Sequence, residues 1–158
     1  KTPETTIEMD ESALLPHHYV MDNVERLNLY RKLANATKPE QLTDWKDEVK
    51  DRFGPLPEEA VMLYQTRELQ WYASQLYFVK ITLRVGKMWC MCPKTKSELG
   101  SFYYEQAHFT QQLSQIKEVA NDQFRLIQKE DAIRFLFEEI TDITSAIQLL
   151  KRIYESQN

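Results

Sequence analysis

Phe78-Val79-Lys80-Ile81-Thr82-Leu83-Arg84-Val85 is the stretch where the rhythm of the chain changes. Val79, Ile81, Leu83 and Val85 alternate with Lys80, Thr82 and Arg84, the two-residue period of a strand with one wet face. Gly86-Lys87 supplies a tight turn. Met88-Trp89-Cys90-Met91-Cys92 follows, apolar on both faces as in a more central strand, and Pro93 stops it. Everything from Asp22 to Leu76 has helical spacing instead, so this switch of period separates a helical half from a sheet-bearing half.

Working upstream, Asp22 and Glu25 have the spacing of a capping box, and Val24, Leu27, Tyr30 and Ala34 recur every three or four residues, which predicts a helix over 23–35. Thr37 and Glu40 repeat the capping pattern, with Pro39 in a first turn that tolerates it. Leu42, Trp45, Val49 and Phe53 form the next apolar stripe, closed by Gly54 and Pro55. Pro57 opens a third helix running to about Leu76, with Glu58 and Glu59 at its positive end. Its apolar residues cover several faces, so it is expected to pack on both sides. Ile7-Glu8-Met9-Asp10 alternates like a strand end, and is expected to complete a preceding module and to stand unpaired or disordered here.

Downstream, residues 94–101 read as a loop and residues 105–119 as a helix. Residues 124–128 and 132–137 read as a hairpin, and residues 142–155 as a final helix. The expected class is α+β: a three-helix N-terminal half, then a small, mainly antiparallel sheet packed with two helices. The implied divisions are 1–20 as connector, 21–77 as helical subdomain and 78–158 as α+β subdomain.

Composition narrows the function. At 158 residues, 42% apolar and 28% charged, the chain has ordinary globular usage and room for a core without staples. Twenty basic against 24 acidic side chains give a net charge of −4. That balance argues against a nucleic-acid-binding domain, although it leaves room for a local basic face. No apolar run approaches the ~20 residues of a membrane span. The chain starts at Lys1 rather than Met, as a fragment or a processed product would. Two cysteines, only two residues apart, suggest a reducing, cytoplasmic setting. Three scattered glycines, Gly54, Gly86 and Gly100, cannot form a glycine-rich phosphate loop.

Candidate chemistry is sparse. Cys90 and Cys92 lack the two further ligands that a structural zinc needs, and His17, His18 and His108 have no paired spacing with them. The glutamate pair Glu58-Glu59 suits a helix start, and Glu138-Glu139 a solvated strand end. Neither pair resembles an active site, so no catalytic, cofactor or metal residue is assigned. The acids of the second helix are harder to dismiss. Asp44, Asp47, Glu48 and Asp51 crowd its second half, where negative charge opposes the dipole at about 0.3–1 kcal/mol per group. Asp47 and Asp51 are also like charges one turn apart. Lys46, Lys50 and an i,i+4 pair of Glu48 with Arg52 give partial relief. A solvated face explains this, and so does a docking surface for arginines of another protein or domain.

Leu15-Pro16-His17-His18-Tyr19-Val20, then Asp22, then Arg26 to Ala34, resembles the start of the C-terminal domain of the bacterial transcription-repair coupling factor. Glu48-Val49-Lys50-Asp51-Arg52-Phe53-Gly54-Pro55-Leu56-Pro57 resembles that domain's most recognisable segment. The similarity covers Ile7 to about Ala73. Beyond Phe78 the order of elements agrees while residue identity is low.

The resemblance implies a parent that is an ATP- and Mg-dependent DNA translocase, which clears stalled RNA polymerase and recruits excision repair. It implies a C-terminal domain without catalysis or cofactor. That domain docks on the N-terminal UvrB-like module of the same chain, masks UvrA binding and restrains the motor. The family's docking carboxylates fall on Glu48 and Asp51, with Arg52 adjacent; Asp47 joins them on the charge argument alone. The expected fragment is a cytoplasmic monomer with no direct nucleic-acid or membrane contact. The alternative is an independent recruitment module acting through a surface of Trp45, Trp71 and Tyr72. A small metal-dependent enzyme at Cys90 and Cys92 is a third class.

Overall fold

Asp22 sets the first helix as its spacing predicts. In the computed structural model, which describes residues 1–157, its carboxylate accepts hydrogen bonds from the backbone N–H groups of Val24 (2.8 Å) and Glu25 (3.2 Å). The elements run β1 (Thr6–Glu8), α1 (Asn23–Ala34), α2 (Pro39–Phe53), α3 (Glu58–Gln75), β2 (Lys80–Arg84), β3 (Lys87–Met91), α4 (Glu98–Glu105), α5 (His108–Ala120), β4 (Phe124–Lys129), β5 (Ala132–Glu138) and α6 (Ile143–Glu155). They form two compact units: residues 11–71, and residues 1–10 together with the described residues from 72 onward. The boundary lies inside α3, six residues before the 77/78 division expected from the change of period.

The helical unit holds α1, α2 and most of α3. Leu29 and Leu33 of α1 are buried, as are Leu42, Trp45 and Val49 of α2. The Trp45 indole N–H donates to the Leu29 carbonyl at 2.9 Å, tying the two helices at their contact. Arg67 of α3 closes the end of α1: its guanidinium donates to the carbonyls of Leu33 (3.1 Å), Ala34 (3.3 Å) and Ala36 (2.7 Å). The first two belong to the last turn of α1, where carbonyls lack an i+4 partner inside the helix, and Ala36 lies just beyond it. Gly54 stops α2 at φ +92°, a conformation that costs other residues a Cβ clash, and its carbonyl accepts the Tyr19 hydroxyl at 2.6 Å.

The other unit is a five-stranded sheet in the order β1-β2-β3-β5-β4, antiparallel except for β1 beside β2. Register assigns its two faces. Ile81, Met88, Cys90, Ile133, Phe135 and Phe137 lie on one face and are buried. Tyr103 of α4, Ile116 of α5, and Ile147, Leu150 and Ile153 of α6 are buried in the same unit.

Two expectations fail here. The N-terminal strand is not a remnant of an absent module: Thr6, Ile7 and Glu8 pair in parallel with Lys80, Ile81 and Thr82. The Thr5 hydroxyl anchors it by donating to the Phe78 carbonyl at 2.6 Å. The expected loop over 94–101 and helix over 105–119 are instead two helices broken at Gln106 and Ala107, so three helices accompany the sheet. Ala107 adopts φ +63°, and the ring of His108 beyond it stacks on Phe102 at 4.4 Å. Ser97 starts α4 by accepting from the Gly100 N–H at 2.9 Å.

Candidate functional site

The acids of α2 lie away from its buried stripe. Leu42, Trp45 and Val49 face inward, whereas Asp44, Asp47 and Asp51 are exposed. Glu48 is half-buried and spoken for. Its two oxygens accept from the Lys32 ammonium (2.5 Å) and from the Arg52 guanidinium (3.3 Å). Arg52 also reaches Glu25 of α1 at 2.6 Å. The result is a chain of alternating charge, Lys32–Glu48–Arg52–Glu25, spanning α1 and α2. The hydrogen bond from Lys32, more than any other influence, holds the Glu48 carboxyl below the usual glutamate range.

This corrects part of the charge argument: Glu48 and Arg52 already meet opposite charges within the chain. It also corrects Glu25, expected to reach back to the α1 cap, which pairs with Arg52 instead. Asp44, Asp47 and Asp51 make no ion pair within 4.0 Å among the described residues. Lys46, the nearest basic neighbour of Asp47 in sequence, lies over the Tyr64 ring at 4.8 Å. The negative charge of Asp47 is one of the influences that raise the Tyr64 hydroxyl pKa, after burial. Sequence reasoning missed Lys32 and Glu25 as partners. Their signal was weak: they lie seven residues apart, two turns along one side of α1.

The other candidates resolve into structure. Trp45 (1% exposed), Trp71 (8%) and Tyr72 (5%) are core residues, so they form no exposed aromatic surface for recruitment. Cys90 and Cys92 are buried, and burial raises both thiols, that of Cys92 to about 12. The Cys92 sulfur lies 3.8 Å from the Tyr103 hydroxyl. Among the described residues no group of three or more His, Cys, Asp or Glu could hold a metal ion. His17 faces Arg26, with 3.4 Å between Nδ1 and the guanidinium. Among the described residues no helix is long and apolar enough to cross a membrane. Chemically, α2 offers a paired charge ladder beside exposed carboxylates that have no ion pair among the described residues.

Comparison with known proteins gives three findings. The family model described as the TRCF domain matches residues 9–100. The transcription-repair-coupling factor of Bacillus subtilis (strain 168) is 31% identical over 72 residues, and that of Escherichia coli (strain K12) 33% over 78 residues. These alignments cover 46% and 49% of this chain but only 6% and 7% of those proteins, so the chain spans a small part of the relatives' length. The crystal structure of a C-terminal domain of transcription-repair coupling factor has the same fold, with a TM-score of 0.75 at 16% identity, covering 99% of this chain and 98% of that one.

Proposed function

This chain belongs to the TRCF-domain family, and from that premise we propose that it is the regulatory C-terminal domain of a cytoplasmic transcription-repair coupling factor and works by docking on another module of its own parent. In this reading the domain has no catalytic step. ATP and Mg serve the parent's motor, and RNA polymerase and UvrA are reached only through the parent. The docked state covers the N-terminal UvrB-like module, hides the surface that UvrA needs and restrains translocation; engagement of the parent with polymerase or DNA shifts the population toward release.

One observation supports the docking face above all. Asp51, in the last turn of α2, is exposed and has no ion pair among the described residues, whereas Glu48 one turn earlier is fully occupied. A carboxylate that opposes the helix dipole and gains nothing from its own domain is suited to meet a cation from outside. Asp47 adds to the same patch. Glu48 and Arg52 then act by stiffening α1 against α2 beneath it. A charge-based contact of this kind is reversible, as a clamp that opens must be.

Calorimetric titration of this domain against the separately produced N-terminal module tests the reading. Asp51→Arg, with Asp47→Arg added, is expected to weaken binding by about tenfold or more, roughly 1.4 kcal/mol. The far-ultraviolet spectrum and melting midpoint should be unchanged. Affinity indistinguishable from the parent sequence removes the α2 face from the interface.

A further inference from the structure

The sheet has a second face, and its charge is opposite to that of the chain. Register places Glu8 of β1, Lys80, Thr82 and Arg84 of β2, Lys87, Trp89 and Met91 of β3, Arg134 and Glu138 of β5, and Arg125, Ile127 and Lys129 of β4 on this side. Six cations therefore meet Glu8, Glu138 and Asp10, which reaches Arg84 at 3.9 Å from beyond β1. Glu8 is shared between Lys80 (3.7 Å) and Arg84 (3.6 Å), and Glu138 holds Arg125 at 3.6 Å. Lys87, Lys129 and Arg134 have no ion pair among the described residues. The face is reached by solvent: the side chains of Arg125 and Arg84 are 61% and 45% exposed. A shallow depression is lined by Glu8, Lys80, Thr82, Trp89, Met91 and Arg134.

At its centre the Arg134 guanidinium lies over the Trp89 ring, 5.0 Å from the centroid. Trp89 is part-exposed, unlike Trp45 and Trp71. The register sets the cations on a diagonal: Arg84 and Lys87 stand opposite each other beside Glu138, Arg134 lies four residues further along past Trp89, and Lys129 two residues beyond that, so a linear polyanion crossing the sheet obliquely meets all four. Neighbouring strands are about 4.8 Å apart and residues about 3.4 Å apart along each, so this diagonal spans roughly 25 Å. A planar cation–aromatic pair in the middle of such a run is a stacking platform for a nucleobase, which an acidic peptide cannot use.

We infer that this sheet face binds single-stranded nucleic acid, with Lys87 and Arg134 on its phosphates and the Trp89–Arg134 pair against a base. The inference is independent of the α2 docking reading. The overall charge of −4 does not oppose it, because association reads the local field.

The test is anisotropy of a labelled 15-nucleotide oligothymidine with the full chain, read alongside tryptophan emission. At 50 mM salt, binding should saturate and quench the emission, because Trp89 is the ring within reach. Four phosphate contacts predict a log–log salt slope near −2.8, at about 0.7 per contact. Lys87→Gln with Arg134→Gln should weaken binding at least tenfold and cut the slope by about 1.4. Trp89→Phe should abolish the quench. No binding at 50 mM salt overturns the proposal. So does equal or tighter binding of a duplex, equal binding of a glutamate oligomer of matched charge, or unchanged affinity in the double variant.

Discussion

Gln112 sits at the centre of a buried polar chain whose removal has a calculable cost. It is 3% exposed, and its amide N–H donates to the Leu76 carbonyl at 2.8 Å. Its amide oxygen accepts from the hydroxyl of Tyr103, which is 0% exposed. Burial raises the Tyr103 hydroxyl pKa far above the tyrosine range, so it remains a protonated donor. Leu76 directly follows α3, and its carbonyl is one that the helix leaves unpartnered. Gln112→Leu therefore strands the buried Leu76 carbonyl and leaves the Tyr103 hydroxyl only the weakly accepting Cys92 sulfur at 3.8 Å, at about 1–3 kcal/mol each. Tyr103→Phe strands one, the Gln112 amide oxygen. The double variant strands only the Leu76 carbonyl, so its cost should fall below the sum of the singles by two groups, about 2–6 kcal/mol. Urea melts followed by circular dichroism, with linear extrapolation, give the three values. Additivity within about 0.5 kcal/mol would refute the chain as a coupled unit.

Gly100→Ala should destabilise despite better helix propensity, because the new Cβ would lie 1.9 Å from the Lys94 carbonyl oxygen and 2.9 Å from its carbon. Displacing that backbone costs about 1–3 kcal/mol, readable as a drop in melting midpoint; a midpoint that rises would show that the segment gives way freely. Glu48 has a folded pKa below its ordinary value, so its ion pairs stabilise the fold above about pH 4.3, and that contribution fades as pH falls through the lowered value. Glu48→Gln should therefore cost about 0.2–1 kcal/mol at pH 7, the exposed-pair range, and progressively less toward pH 2.5 as the carboxyl takes up its proton. An equal gap at both pH values would mean packing rather than charge.

What the sequence discloses follows the range of the interaction. Asp22 and Gly54 act within a few residues of themselves, and both caps are legible from spacing alone. The period change at Phe78 is equally local, and it marks where α3 has ended and β2 is about to begin. The parallel pairing of Ile7 with Ile81 is not local: a three-residue strand has too few repeats to show a period, and its partner lies 74 positions away. The short α4 was hidden because Ser97 and Gly100 look like loop residues until the serine is seen capping the turn. On α2 the acids were legible. Their fate was not, because Lys32 and Glu25 come from a different helix, and only packing through Trp45 brings them alongside.

That distinction bears on how charge is read anywhere in this protein. Net charge and helix-dipole position count every carboxylate equally, yet Glu48 and Asp51, three residues apart, do opposite work. Glu48 meets two cations of its own domain, so reversing it perturbs the α1–α2 pairing before it perturbs any partner. Asp51 meets none, so reversing it leaves the fold and changes only what the surface attracts. The sheet repeats the pattern with the sign inverted: Glu8 absorbs Lys80 and Arg84 and Glu138 absorbs Arg125, leaving Lys87, Lys129 and Arg134 as the cations with unspent charge among the described residues. A comparison of Glu48→Arg with Asp51→Arg separates the two kinds directly. The first should lower the melting midpoint, whatever it does to docking, and the second should lower docking affinity at an unchanged midpoint. If the two variants behave alike in both assays, internal pairing does not decide which carboxylates a docking surface can use.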